Sequence, residues 1–120
     1  MARILIVDDS IVSRTNLKTI LQSAQHEVVG EAVNGEDGFE KFLSLRPDMV
    51  TMDITMPKRN GIECLKEILH HDPQARVMMI SALGQGAKIL EAINSGARHY
   101  ITKPYEPDKV LEAVAELLNE

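Results

Sequence analysis

Tryptophan is absent from this 120-residue chain, and tyrosine and phenylalanine occur only twice each. So few aromatic rings leave little to flank a flavin, which argues against a flavin-dependent electron carrier. Cysteine occurs once, at Cys64, which excludes an intramolecular disulfide and fits a reducing compartment. With no second thiol beside it, Cys64 reads as a small residue of a helical pattern rather than a redox centre. No apolar run approaches the roughly 18 residues that cross a bilayer. Met1-Ala2-Arg3-Ile4 enters a strand directly, without the apolar core and cleavage site of a signal peptide. A cytoplasmic protein is therefore expected, with no membrane partner. Basic charge is also short: the net charge is −5 and the pI about 5.3, which argues against nucleic acid as a partner of the whole domain. Low-complexity stretches, linkers and long repeats are missing as well. What is present is apolar content of 44%, enough for the core of one domain spanning residues 1–120.

The order reads strand then helix, five times over. Short Ile-, Val- and Met-rich runs predict strands over Arg3–Val7, Glu27–Ala32, Met49–Asp53, Arg76–Ser81 and His99–Thr102, with Gly30 interrupting the second. Ser10 can cap a helix over Ile11–Ala24 that carries Leu17, Ile20 and Leu21 at core spacing. A second helix runs from Gly35 to before Pro47 with Phe39, Phe42 and Leu43 as its apolar face. Pro57 and Asn60-Gly61 mark a loop before a third helix with Ile62, Leu65, Ile68 and Leu69, which Asp72-Pro73 stops. Gly84-Gln85-Gly86 opens a fourth helix through Ile89, Leu90 and Ile93, closed by Gly96. It lacks the GK[ST] ending of a phosphate-binding P-loop and reads only as a helix start. Pro107 begins the last helix, through Val110, Leu111, Val114 and Leu118. Alternation of this kind predicts an α/β fold, a doubly wound parallel sheet covered on both faces.

Four of the predicted strands end on polar residues able to handle a phosphoryl group. These are Asp8-Asp9, Asp53, Ser81, and Thr102 leading into Lys103-Pro104. In a parallel sheet they gather at the carboxyl edge, where open α/β sheets bind ligands. Adjacent acids repel and raise the pKa of one or both unless a cation lies between them. Mg²⁺ suits that role, since it takes one or two carboxylates, waters and a substrate phosphate. Asp53 is the candidate nucleophile, because a carboxylate can accept a phosphoryl group as an acyl phosphate. Ser81 offers a hydroxyl and Lys103 a mobile point charge for the transferring oxygens. A cis peptide bond is open to Lys103-Pro104 and would aim the lysine back across the site. His70-His71 fall at a helix end, where cationic histidine suits the dipole, and Met49, Met52, Met78 and Met79 read as core.

The segments Val7-Asp8-Asp9-Ser10, Met52-Asp53-Ile54-Thr55-Met56-Pro57, Asn60-Gly61, Ser81-Ala82 and Gly96-Ala97-Arg98-His99-Tyr100-Ile101-Thr102-Lys103-Pro104 resemble the receiver domain of two-component response regulators. The resemblance covers essentially the whole chain in order and spacing. It implies a flavodoxin-like (βα)₅ sheet in strand order 2-1-3-4-5, an order for which chemotaxis regulators are a standard example. It also implies that Asp53 accepts phosphate from a histidine kinase. Asp8, Asp9, Asp53 and the Thr55 backbone carbonyl would hold Mg²⁺, Ser81 and Lys103 would engage the phosphoryl group, and Tyr100 would be the aromatic switch. The protein would catalyse only its own phosphorylation and dephosphorylation and is otherwise no enzyme. Leu83 and Thr55 stand where polar residues tune hydrolysis, so self-dephosphorylation is expected to be slow.

Within the family, Gly30–Gly35 and Thr51–Pro57 are most similar to stand-alone chemotaxis (CheY-type) regulators, while Ser10–Arg14 departs from the version common there. No output domain is expected after the last helix, so output is expected through a partner. A flagellar switch or adaptor protein would bind the face of the fourth helix, fifth strand and last helix, and a phosphatase is a further partner. A monomer is expected, with that same face as the route to a dimer. The alternatives are a phosphorelay intermediate passing phosphate to a histidine phosphotransfer protein and, more distantly, a Mg²⁺-dependent aspartyl-phosphate phosphatase. For the latter, Thr55 replaces the second acid and there is no cap insertion.

Overall fold

Apolar runs too short for helices and flanked by turn residues become strands, and the longer amphipathic segments between them become helices. A computed structural model describes residues 1–120. The elements are β1 (Arg3–Val7), α1 (Ile11–Ser23), β2 (Glu27–Ala32), α2 (Gly35–Leu45), β3 (Met49–Asp53), α3 (Gly61–His71), β4 (Val77–Ser81), α4 (Gly86–Asn94), β5 (His99–Thr102) and α5 (Pro107–Leu118). All five strands pair in parallel in the order β2-β1-β3-β4-β5, as the sequence led us to expect. Two boundaries move by one residue: Ala24 caps α1 instead of belonging to it, and β4 begins at Val77. Gly30 does not break β2. The strand carries an irregularity there, Ile4 facing Val28 but Leu5 facing Gly30, so one extra residue is accommodated and pairing continues.

Residues of a strand alternate between its two faces, and here both faces are buried. Leu5, Val7, Val50, Met52, Val77 and Met79 enter one core with the inner sides of α2, α3 and α4. Ile4, Ile6, Met49, Met78 and Ile80 enter a second core with α1 and α5. The four strand methionines are all buried. Cys64 is buried too, and burial pushes its thiol up to about 12, with Glu67 adding to the shift and Arg59 opposing it. It is an inert core residue.

Two predicted apolar faces need correction. In α2 the inward stripe is Gly35, Gly38 and Phe42, with Phe39 packed beside it, while Leu43 is exposed. Leu43 lies about 100° round the helix from Phe42, which carries it past the edge of the contact. In α4 only Ala92 is buried. Ile89 is partly covered, and Leu90 and Ile93 face solvent. The helix rests on the sheet through its small residue, which leaves its large ones for something other than the core.

Candidate functional site

Parallel strands end at one edge, so the residues that follow β1, β3, β4 and β5 meet there although they are far apart in sequence. Asp8 directly follows β1, and its backbone N–H continues the ladder by donating to the Ala32 carbonyl at 3.0 Å. Asp53 and Ser81 are the last residues of β3 and β4, and Lys103 follows β5. The expected residues are therefore brought together. One oxygen from each of Asp8, Asp9 and Asp53 can be chosen so that all lie within 4.8 Å of one another. Asp8 and Asp53 are nearly buried while Asp9 is exposed.

Asp8, Lys103 and Ser81 are each held by partners. Asp8 accepts from the Ser10 backbone N–H at 2.8 Å and faces the Lys103 ammonium at 3.5 Å. Lys103 also donates to the Ser13 hydroxyl at 3.1 Å. Arg14, paired with Glu31 at 3.1 Å, donates to the Asp8 carbonyl at 2.7 Å and braces the loop from behind. Ser81 is fully buried and turned toward β5, with its hydroxyl 3.2 Å from the Thr102 hydroxyl and 3.4 Å from the Ile101 carbonyl. The Lys103-Pro104 peptide bond is cis. Tyr100 is 45% exposed and stands on the outer side of β5, while its neighbour Ile101 is buried. Beside it, His99 accepts the Tyr100 backbone N–H at 2.8 Å through Nδ1. The same ring meets Glu116 of α5 at 2.8 Å through Nε2, so Glu116 is engaged rather than merely solvated.

The clearest electrostatic strain at this edge is on Asp53. Burial pushes its carboxyl from 3.8 up to about 6, and the negative charges of Asp8 and Asp9 add to that. Lys103 and the backbone hydrogen bond from Thr55 act in the opposite direction and do not outweigh them. A carboxylate so destabilised, with two more beside it, fits a hard divalent cation. It also makes a testable link to stability. The native pKa lies above the unfolded value, so between them the native state binds more protons. The contribution of Asp53 is therefore complete below about pH 4 and is lost as pH rises through about 6. After allowance for solvent screening at the open edge, the loss is about 1–2 kcal/mol. Urea titrations in a chelator are expected to show this as a difference between wild type and Asp53→Asn that opens between pH 4 and pH 7. Mg²⁺ is expected to close it, and an equal pH profile for both proteins would refute the coupling.

Sequence reasoning missed one polar residue at this edge. Gln85 accepts the Ala82 backbone N–H at 2.6 Å and donates to the Thr55 hydroxyl at 2.7 Å, joining the loops that follow β4 and β3. Its sole sequence signal is a polar side chain between two glycines at a helix start. Leu83 is 78% exposed and lines, with Ser13, Asn16 and Lys103, an open hollow of about 540 Å³ beside the site.

Residues 4–115 match the model of the response regulator receiver domain family. The chain is 51% identical to the chemotaxis protein CheY of Thermotoga maritima over 112 residues, 93% of each protein. It is 50% identical to the chemotaxis protein CheY of Bacillus subtilis over 117 residues, 98% of each. Among solved structures, it superimposes with a TM-score of 0.92 on a chain of the CheX–CheY–BeF3–Mg²⁺ complex from Borrelia burgdorferi. That chain is 39% identical, and the match covers 96% of this chain and 87% of that one.

Proposed function

This chain belongs to the response regulator receiver domain family, and from that premise we propose that residues 1–120 form one receiver domain whose phosphoacceptor is Asp53. The observation that carries the reading is the position of Asp53. It ends the central strand β3 within reach of two further carboxylates, with Ser81 at the end of the neighbouring strand β4 and Lys103 just beyond the next strand, β5. Asp8, Asp9, Asp53 and the Thr55 backbone carbonyl are the groups that would hold Mg²⁺. When bound, the ion would offset charge on the transferring oxygens.

In the reaction, an Asp53 carboxylate oxygen attacks the phosphorus of a phosphohistidine on the kinase. The new O–P bond forms as the N–P bond breaks, and the imidazole leaves with the bonding electron pair. Lys103 lies near enough to exchange its contacts with Asp8 and Ser13 for a phosphoryl oxygen. Ser81, now directed at Thr102, would turn toward the same group. Its departure frees space beside β5 for Tyr100, which in the present arrangement faces solvent. The α4–β5–α5 face, with Leu90 and Ile93 exposed on α4, is then the surface that a partner reads.

The chemotaxis names of the relatives support a chemotaxis regulator; our reading makes it a cytoplasmic monomer that is phosphorylated by a histidine kinase and acts on a flagellar switch or adaptor protein. Intact mass after incubation with acetyl phosphate tests the chemistry: a gain of one phosphoryl group is expected with Mg²⁺ and none in chelator. No gain under either condition, followed by none from candidate kinases, would reduce the protein to a receiver in fold alone. Capture of flagellar switch proteins by the phosphorylated form supports the chemotaxis assignment. Capture of phosphotransfer proteins instead would make it a phosphorelay intermediate.

A further inference from the structure

The Gln85 carboxamide uses both of its ends across the mouth of the site. A backbone N–H can only donate, so the atom facing Ala82 must be the carbonyl oxygen, and the amide nitrogen is left for the Thr55 hydroxyl. The two residues it joins are related by the sheet. Asp53 pairs with Ile80, so Ala82 and Thr55 each lie two residues further along their own chains, on either side of the gap beyond the Asp53 carboxylate. Thr55 already gives its backbone hydrogen bond to Asp53. The Ala82 N–H, next to Ser81, is the neighbouring backbone donor on the β4 side, and Gln85 occupies it.

Nothing else in the fold explains that use of the side chain. Gln85 stands at the N-cap of α4 yet makes no capping hydrogen bond to its own helix. Gly84, at φ +87°, reverses the chain just before it, a conformation that glycine adopts without strain. That turn folds the carboxamide back over Ala82. A Cβ at Gly84 or Gly86 would meet no other atom within 4 Å, so the loop is not packed in place by its neighbours. The bridge to Thr55 is its tie to the β3 side.

We propose that Gln85 is a positioning residue that latches the resting site: its bridge from Thr55 to Ala82 withholds the Ala82 N–H, and a phosphoryl group on Asp53 must displace the Gln85 oxygen to gain that donor. The inference rests on the reading of Asp53 as phosphoacceptor. It assigns Gln85 a role in setting how readily the site accepts a tetrahedral anion, apart from the groups that touch the phosphoryl group itself.

Two measurements on the full chain test it. The first is hydrogen exchange of the Ala82 amide without metal or phosphodonor, which reads the latch independently of phosphorylation. Gln85→Ala is expected to speed that exchange by about tenfold or more while leaving the amides of β4 and the body of α4 unchanged. The second is beryllofluoride affinity in Mg²⁺, followed by amide shifts. Releasing one neutral hydrogen bond is expected to tighten binding about three- to tenfold in Gln85→Ala. Thr55→Val, which cuts the far end of the bridge, should give a smaller tightening, and the double variant no more than Gln85→Ala alone. A merely structural tie would weaken binding in all three. Equal Ala82 exchange in wild type and Gln85→Ala, or beryllofluoride affinity that is unchanged or weaker, overturns the latch. If Gln85 protects Ala82 but neither protein binds beryllofluoride, the phosphoacceptor reading fails and the proposed competition fails with it.

Discussion

Asp53→Asn is expected to end phosphoryl uptake altogether, from acetyl phosphate and from a kinase alike. The carboxamide has nearly the shape of the carboxylate, so the strand end keeps its packing, but it offers no anionic oxygen to attack phosphorus. Neither neighbouring acid can substitute. Asp8 is 2% exposed, with one oxygen on the Ser10 N–H and the other facing Lys103, so it lacks the open approach an in-line attack requires. Asp9 is exposed, but it lies on the loop after β1 rather than between the β3 and β4 ends, away from Ser81. Intact mass spectrometry after exposure to acetyl phosphate and Mg²⁺ reads the outcome directly. A phosphoryl group retained by the variant would move the nucleophile to Asp8 or Asp9 and overturn the assignment. The same substitution is expected to stabilise the metal-free fold at pH 7, since it removes the charge whose burial raises the Asp53 pKa. Loss of chemistry together with gained stability distinguishes a site residue from a structural one, because a structural residue would lose both.

Gly61→Ala is expected to be the most damaging small substitution in the chain. Gly61 is the first residue of α3, and its N–H donates to the Ile54 carbonyl at 2.9 Å. An added Cβ would lie 2.0 Å from the Asp53 carbonyl oxygen, 2.9 Å from its carbon and 3.0 Å from the Ile54 Cα. All three are backbone atoms at the end of the central strand, so no flexible side-chain tip can yield. We expect a loss of about 3 kcal/mol or more, which in a domain of this size lowers the melting temperature by roughly 10 °C. Phosphorylation should suffer beyond the loss of folded protein, because the displaced backbone belongs to Asp53 itself, and a shift of about 1 Å at a reacting group can cost roughly a hundredfold in rate. Gly86→Ala is the control. Its Cβ meets nothing within 4 Å, and at the start of α4 alanine should be neutral or gain up to about 1 kcal/mol. Equal melting temperatures for the two variants would show that the helix start can move away from the strand and that the close approach is not needed.

Much of this site could be read from the sequence because it is written in strand ends. Short apolar runs mark where β1, β3, β4 and β5 stop; the next polar residue is a site residue after β1, β3 and β4, and after β5 Thr102 leads into Lys103. Parallel alternation then places all of them at one edge whatever the detailed packing. The β-α order, the two-sided burial of the strands and the candidate acids follow from periodicity, burial and turn chemistry, all of which act over a few residues. The faces of α2 and α4 were less legible. Leu43, Leu90 and Ile93 have helical spacing but stand off the core, and spacing alone does not say which side of a helix the sheet meets.

What the tertiary structure alone decided is how the polar groups are paired. Lys103 turns to Asp8 and Ser13, 95 and 90 residues away in sequence. Ser81 turns to Thr102, and Gln85 reaches Thr55 across 30 residues. The raised pKa of Asp53 likewise depends on its burial and on Asp8 beside it. Each of these depends on which strand lies beside which and on where each side chain finds a donor or acceptor within about 3 Å. Local sequence determines that a polar residue stands at a strand end. Only the assembled sheet determines its partner, because hydrogen bonds and charge interactions depend on distance in space, and the chain brings those distances together only when it is folded.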